Sequence, residues 1–434
     1  MIAVGLLLTV NCPALTHYVV TNGTPGVTST APYTNWETAG TNIIDVVNAA
    51  MTNTAARTVW VSNGTYYLTN QVRITNALTL QSVNGRNLTI VDGNYPNVTN
   101  RCFYINAAAT LDGFTVSNGF VFCNGVSGGG GGIYVKGIYG VGNARIQNCR
   151  IVDNTVSNFM TGGWIAAQGG GIWQYSDAIV SNCDIIANKA IGLVCYAGGT
   201  YLSDRATIIN SVIESNILVG GGAGGEAIGL GVYANSDSVV VNSCRISENG
   251  DGINGSYSVT LYNGSSVRNS LVCNNYGGIY IQGWGKVQNC TIASNRATGL
   301  KIDSAYPSTA CVENVVCYLN SGSKSNFSYS ASSSYTGSFS IVNSCIAPTS
   351  SLPIAAGRPL VYLSNNIEFD PQFVDKDTGN WRLNASSPCV NTGTNQSWMM
   401  NAVDLDNKIR IRYGTADMGA YETIYEGTIY RMGF

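Results

Sequence analysis

Few side chains in this chain are equipped for acid–base chemistry, and their placement limits what that chemistry could be. A single histidine is present, His17. It precedes the repeats described below, so no mechanism that needs an imidazole can run along them. Three compact mixed-charge clusters remain: Asp184 with Lys189, Arg245 with Glu248, and Lys301 with Asp303. A Lys or Arg beside a carboxylate can act as a base or an acid once its surroundings tune it. The same spacing also describes a solvated surface pair, which does neither. No Asp or Glu group recurs in register, so no metal site is expected, and no cofactor. Ca²⁺ would be compatible with the fold but has no clear motif. Asp375-x-Asp377-x-Gly379 matches the opening of a calcium loop but lacks the third ligand and the acidic twelfth position, and reads as a turn. No CxxC pair occurs, and Cys311 and Cys317 have no nearby His, which argues against zinc.

A second kind of chemistry is stacking. Short segments follow glycine turns at Gly132-Ile-Tyr-Val-Lys, Gly171-Ile-Trp-Gln-Tyr, Gly199-Thr-Tyr-Leu-Ser, Gly231-Val-Tyr-Ala-Asn, Gly278-Ile-Tyr-Ile-Gln and Gly299-Leu-Lys-Ile-Asp. Read as strands, they alternate between two faces. The first and third residues point inward. The second points outward, giving a column of Tyr134, Trp173, Tyr201, Tyr233, Tyr280 and Lys301, with Asn254 placed between the last coils. The next outward column is Lys136, Tyr175, Ser203, Asn235, Gln282 and Asp303. The aromatic residues Tyr134, Trp173, Tyr175, Tyr201, Tyr233 and Tyr280 form a candidate platform for sugar rings. Against this, aromatic ladders also stabilise sheet faces by cross-strand packing, or lie beneath inserted loops.

The elements that must hold these columns are visible in a nine-residue phrase, [Ile/Val]-x-Asn-[Cys/Ser]-x-[Ile/Val]-x-x-Asn. It runs from Ile146 to Asn154 and returns at Val180, Ile208, Val267 and Val287, with variants at Val241 and Val312 and degenerate copies at Leu111 and Ile341. Steps of 20 to 35 residues between copies mean a solenoid, whose units bury their apolar faces only by stacking. Inside the phrase the strand parity breaks once, at Asn148. Asn tolerates the left-handed conformation, so it reads as a corner between two strands, and stacked corners predict a hydrogen-bonded Asn column. Val, Ile, Thr and Gly dominate and no long 3.6-residue period appears. The fold expected is all-β: a right-handed parallel β-helix. Cys149, Cys183, Cys244, Cys290 and Cys345 fall in or beside the position that Ser211 and Ser270 fill elsewhere, so most of the 13 cysteines read as free core thiols.

The flanks differ. Residues 1–16 hold an apolar run too short to span a bilayer and resemble a secretory leader, truncated at its start, with a buried first strand as the alternative. Residues 17–75 read as a cap: Ile43, Val46, Val47 and Ala50 have helical spacing, and a helix over an open solenoid end protects it. Residues 76–348 are the solenoid, with extra chain at Gly128–Gly132 and Asn158–Trp164 that insertions could turn into a working face. Residues 349–434 close the chain. Only 11% of residues are charged and the net charge is −2, which argues against nucleic acid and against more than peripheral contact with a membrane.

Residues 58–348 resemble the pectin-lyase-like β-helix superfamily, on the strength of the repeated phrase. Phe373-Val-Asp, Asn380-Trp-Arg-Leu, Ser387-Pro-Cys-Val-Asn-Thr-Gly, Asp404-Leu-Asp-Asn-Lys-Ile-Arg and Asp417-Met-Gly-Ala-Tyr-Glu resemble the "choice-of-anchor Q" module of secreted or surface-attached bacterial proteins. That resemblance implies export and a polysaccharide or cell-envelope partner, although no hydrophobic sorting tail follows Glu422. The β-helix resemblance implies, as the alternative, a polysaccharide lyase or glycoside hydrolase acting on an acidic polymer, with a Lys or Arg base for a lyase. The expectation is a structural, adhesive or carbohydrate-binding protein.

Overall fold

The computed structural model describes residues 15–52, 57–123, 128–136, 144–158, 166–220, 227–250, 256–303, 309–321, 326–330, 338–347 and 361–424. Among them, three long sheets wind around one core. Sheet A has thirteen strands from Leu15–Val19 to Val361–Ser364, sheet B eleven from Gly64–Tyr67 to Cys345–Ile346, and sheet C ten from Val72–Ile74 to Phe327–Ser330. Neighbouring strands in each are parallel and come from successive coils. This is a right-handed parallel β-helix. The ladder extends past the 76–348 span read from the phrase, because its first and last coils lack the phrase yet pair in the same way. Leu15 and Thr16, placed in the leader by sequence, belong to the first strand; residues 1–14 lie outside the described residues.

The phrase folds as its parity requires, with one addition. Ile146 and Ile151 point into the core on sheets A and B, stacked on Val180 and Ile185 of the next coil, and all four are 0% exposed. Asn148 turns the corner at φ 54°, as do Asn182, Asn210, Asn269, Asn289 and Asn314 at 48–56°. A second corner, unread in the sequence, sits at the eighth position: Asp153, Ala187, Ser215 and Glu248 have φ of 55–56°. The hydrogen-bonded column expected at the first Asn is broken. Asn182 reaches Asn148 Oδ1 at 2.6 Å, but Asn269 turns to Ser243 Oγ and the Val403 carbonyl. The continuous ladder is built by the last Asn of the phrase. In Asn154, Asn188, Asn216, Asn249, Asn275, Asn295 and Asn320, backbone N–H and Nδ2 both donate to the next Asn Oδ1 at 2.8–3.2 Å, ending on Asn326. The second Nδ2 hydrogen of Asn188 and of Asn216 goes to the carbonyl of Ile151 and of Ile185. The ladder therefore pins the second corner, where a left-handed non-glycine residue costs about 1–2 kcal/mol.

This ladder also explains the glycine that opens each segment of sheet C. A Cβ at Gly171 would stand 2.9 Å from the Asn188 amide, and one at Gly199 3.1 Å from that of Asn216. Cys and Ser interchange for an equally local reason. Cys149, Cys183 and Cys244 donate S–H to the carbonyl two residues earlier at 3.1–3.3 Å, and Ser211 and Ser270 donate O–H to the equivalent carbonyl. The twelve described cysteines are free thiols.

At the start, helix α1 (Ile43–Met51), N-capped by Asn42, buries Ile43, Val46, Val47 and Ala50 against the first coils. His17 is wholly buried in the first strand and donates Nδ1–H to the Pro32 carbonyl at 2.6 Å. In the middle, the insertions leave the coil between sheets B and C. Phe120–Phe122, Thr155–Asn158, Lys189–Gly192 and Ile217–Gly220 form one small parallel sheet; Gly128–Gly129, Ala166–Gln168, Val194–Tyr196 and Ala227–Ile228 form another. Together they make a fin with its own core of Cys123, Val156, Ala167, Ala190, Cys195, Leu218 and Leu230. Of the predicted insertion at 158–164, residues 159–164 lie outside the described residues.

At the other end the chain reverses along the corner between sheets A and B. Thr392 and Thr394 carbonyls accept from Asn343 and Asn314, Asp417 from Asn289, and Val403 from Asn269. Trp381 packs on Leu271, Cys273 and Ala293 of sheet B. The corner amides left without a continuous column are thus the docking points of the closing segment.

Candidate functional site

The outer face of sheet C carries the aromatic residues, and strand register fixes their order. Arg73, Tyr104, Tyr134, Trp173, Tyr201, Tyr233, Thr260, Tyr280 and Lys301 follow one another coil by coil. Thr260 occupies the place read for Asn254, which is outside the described residues. Two residues further along each strand, Ser203, Asn235, Tyr262, Gln282 and Asp303 form the second column, preceded by Tyr175 and Lys136. Tyr104 and Tyr262 escaped the sequence reading because no glycine precedes their strands; the period-two alternation alone would have found them. Gln174 points inward and donates Nε2–H to the Ala178 carbonyl.

The rings touch along the row. Tyr134 stacks on Trp173 with centroids 4.5 Å apart, and Tyr201 on Tyr233 at 5.2 Å. Each is roughly one rung apart, as the ~4.8 Å strand spacing demands. All point away from the coil interior, but the middle of the row is not open. The fin lies over it: Tyr196 stacks on Tyr233 at 5.0 Å, and Ala197 and Ile228 pack on the same group. Trp173, Tyr201 and Tyr233 are only 7%, 5% and 7% exposed. These three, read as platform residues, are roofed by the insertions, because aromatic faces beside a second apolar layer bury more surface together than apart. Burial pushes the Tyr134, Tyr175 and Tyr201 phenols up, so they stay protonated, and the Tyr201 hydroxyl accepts from Asn235 Nδ2 at 3.1 Å.

Beyond the fin the row is half-exposed. Tyr280 donates its phenolic hydrogen to Asp303 Oδ2 at 3.2 Å, and Lys301 Nζ sits 4.6 Å from the Tyr280 ring centroid. Tyr262 and Gln282 flank them on the same face. Of the sequence-proposed clusters this is the one the fold assembles with an aromatic ring.

The other two do not form. Asp184 pairs with Arg86 Nη2 at 3.1 Å, while Arg86 Nη1 donates to the carbonyls of Cys149 and Asn182. Lys189 stands on the fin, exposed. The two lie on different sheets on either side of the second corner, so sequence proximity did not bring their charges together. Arg245 points outward from sheet B, with Nε 3.4 Å from Ser247 Oγ, and Glu248 occupies the following corner. No ion pair joins Arg245 to Glu248, or Lys189 to Asp184, among the described residues. Arg245 lines a cleft of about 420 Å³ against the closing segment, with Asn210, Ser243, Asp404 and Tyr421. Asp404 cannot serve there as a free carboxylate: it is 2% exposed and accepts the backbone N–H groups of Asp406, Lys408 and Glu422. Arg245 and Lys301 lie on different sheets and share no site.

Asp375 and Gly379 (φ 77°) bound a hairpin turn in which Asp375 Oδ1 accepts from Asp377 N at 3.1 Å and Thr378 N at 3.2 Å. No helix among the described residues is long and apolar enough to cross a membrane.

No family model and no curated protein matches this sequence. Among solved structures the chain is similar to pectate lyase Pel9A, at 16% identity over 94% of this chain and 96% of that one, with a TM-score of 0.49. It is also similar to XylC in complex with xylose, at 10% identity over 82% and 87% and a TM-score of 0.42. A rhamnogalacturonan lyase follows at 13% identity, 86% and 95% coverage and a TM-score of 0.33. Likenesses at this level say nothing about what this chain binds; its architecture is that of a parallel β-helix on the evidence of its own strand order.

Proposed function

We propose that this is a secreted or cell-surface protein that binds carbohydrate, in a structural or adhesive role, along the open end of the sheet C row. The observation that carries the reading is the patch of Tyr262, Tyr280, Gln282, Lys301 and Asp303. Half-exposed rings there alternate with hydrogen-bonding side chains on a rigid sheet at rung spacing, the combination that recognises a sugar by stacking and hydroxyl bonding. The partner is a polysaccharide or another glycan-bearing envelope component. A glycan array with the intact protein tests it: specific binding is expected, weakened by Tyr280→Ala with an unchanged Tm. An array without specific binding, or binding indifferent to Tyr280, would reject the reading.

The same patch supports a second reading. Lys301 beside a phenol and a carboxylate has the parts of a base-assisted elimination on an acidic polysaccharide. Incubation with uronic-acid polymers distinguishes the two, since a lyase generates unsaturated, ultraviolet-absorbing ends. No turnover is expected; turnover abolished by Lys301→Ala would replace binding with catalysis.

A further inference from the structure

The upstream end of the row carries positive charge that no described carboxylate neutralises. Arg101 lies over the Tyr134 ring, with Cζ 5.0 Å from its centroid, and Arg73 lies over Tyr104 at 4.4 Å. Burial pushes the Arg101 pKa down, and the nearby Arg73 guanidinium adds a smaller push in the same direction. Lys136 adds a third cation at the outward position after Tyr134. None of the three forms an ion pair with a described carboxylate. The stretches 53–56, 124–127, 137–143 and 159–165 contain no Asp or Glu, whereas 221–226 includes Glu226.

Arg101 also has unused hydrogen-bonding capacity. Its Nε is buried and without a partner, and so is Oδ1 of the adjacent Asn100. The pair lines a cavity of about 310 Å³ with Asn70, Gln71 and Thr99, between the first coils and the edge of the fin. Holding a half-buried guanidinium without a counter-ion is unfavourable, and ring stacking offsets only part of that cost. An oxyanion with two oxygens in one plane is the partner its fork geometry fits.

We propose that Arg101, with Arg73 beside it, forms a binding site for an oxyanion, a carboxylate or a sulfate group, carried by the ligand of the aromatic row. The connection to a glycan rests on the reading above; the anion site itself is tested without one. Thermal shift and titration calorimetry on the intact protein would compare sodium sulfate and sodium glucuronate with sodium chloride at matched ionic strength. A saturable stabilisation beyond that of chloride is expected from at least one of the two salts, and the preferred salt identifies the group. Sulfate stabilises proteins generally by exclusion, so the decisive comparison is with Arg101→Gln. That variant should fold, since it removes an unneutralised charge, and should lose binding by about tenfold to a hundredfold. Arg73→Gln, at an exposed position, should weaken it less and serves if Arg101→Gln does not fold. Equal saturable shifts in wild type and variant, or none in wild type with either salt, would overturn the site. Tyr280→Ala should keep the anion response, so failure of the glycan reading and failure of this one remain separate results.

Discussion

Glu422 shows how a residue picked out by a sequence motif can act locally without chemistry of its own. It is 3% exposed, and its Oε1 lies 3.2 Å from Nη1 of Arg410, itself wholly buried. Asp417 and Asp404 complete the cluster: Asp417 accepts from the Asn391 and Thr423 amides, and Asp404 from the Glu422 amide. Burial pushes the Glu422 carboxyl up to about 8, with Asp417 and Asp404 adding to the rise and Arg410 opposing it. A raised native pKa means that the folded state holds a proton the unfolded state has released. The stabilisation is full below the ordinary value of 4.5 and is lost as pH rises through about 8. The Tm of the wild type should therefore fall between pH 6 and pH 9 by an amount worth a few kcal/mol, and Glu422→Gln should flatten that fall. Melting curves across the range check it, and parallel profiles would refute the assignment. The rings divide in the same way. Tyr201→Ala empties a buried site and should destabilise by roughly 3–5 kcal/mol, whereas Tyr280→Ala should leave the urea midpoint almost unmoved and act on ligand binding alone.

At the scale of elements, the coil is held by two things with different reach. Apolar stacking of residues such as Ile146 on Val180 contributes about 1.5–3 kcal/mol per buried side chain but does not specify the turn. The Asn ladder does, because each amide closes a corner in its own coil and a rung to the next. In Asn216→Ala the backbone N–H and amide of Asn188 lose their acceptor and the Ile185 carbonyl loses a donor. Each buried orphan costs about 1–3 kcal/mol, so a loss on the order of 3 kcal/mol or more is expected in urea unfolding. Asn148→Ala, at an exposed corner, should cost less, chiefly the left-handed strain of about 1–2 kcal/mol. An equal effect of the two substitutions would assign the ladder to the wrong column. The fin is the other element that matters, since it converts half of the aromatic row from surface to core.

Across the whole molecule, the closing segment does not continue the solenoid but braces it, running from the Asn343 corner back to that of Asn269. Its Cys389 meets Cys345 of the last coils in one apolar cluster with Val316 and Met418, and no disulfide crosses the described residues. Burial raises the Cys244 and Cys290 thiols to about 12, so they stay protonated and unreactive. A thiol reagent should label the native protein slowly, with the half-buried Cys311 first, and at least twelve thiols once it is denatured without reductant. A denatured count near zero would reveal disulfides and refute the core role.

The stacking of coils, the first corner of each phrase, the capping helix and the inward or outward sense of the strand residues that were read were legible in the sequence. Each follows from local rules: two-residue alternation, the tolerance of Asn for the left-handed region, and the helical spacing of Ile43, Val46, Val47 and Ala50. The choice between Asn148 and Asn154 as the ladder residue was not legible, because both recur once per phrase and only the stacked geometry tells which amide faces the core. Nor was the fate of the aromatic row. Trp173, Tyr201 and Tyr233 satisfy the outward pattern as well as Tyr280 does, but what lies over an outward face depends on insertions arriving from neighbouring coils. Charge pairing failed for the same reason: Lys189 is five residues from Asp184 in sequence, yet a corner separates them, while Arg86 arrives from a coil far upstream. Sequence by itself determined the coil and the face of its strand residues, because those depend on near neighbours; tertiary structure decided which corner amide faces the core, which faces stay open and which charges meet, because those depend on residues brought together only by stacking.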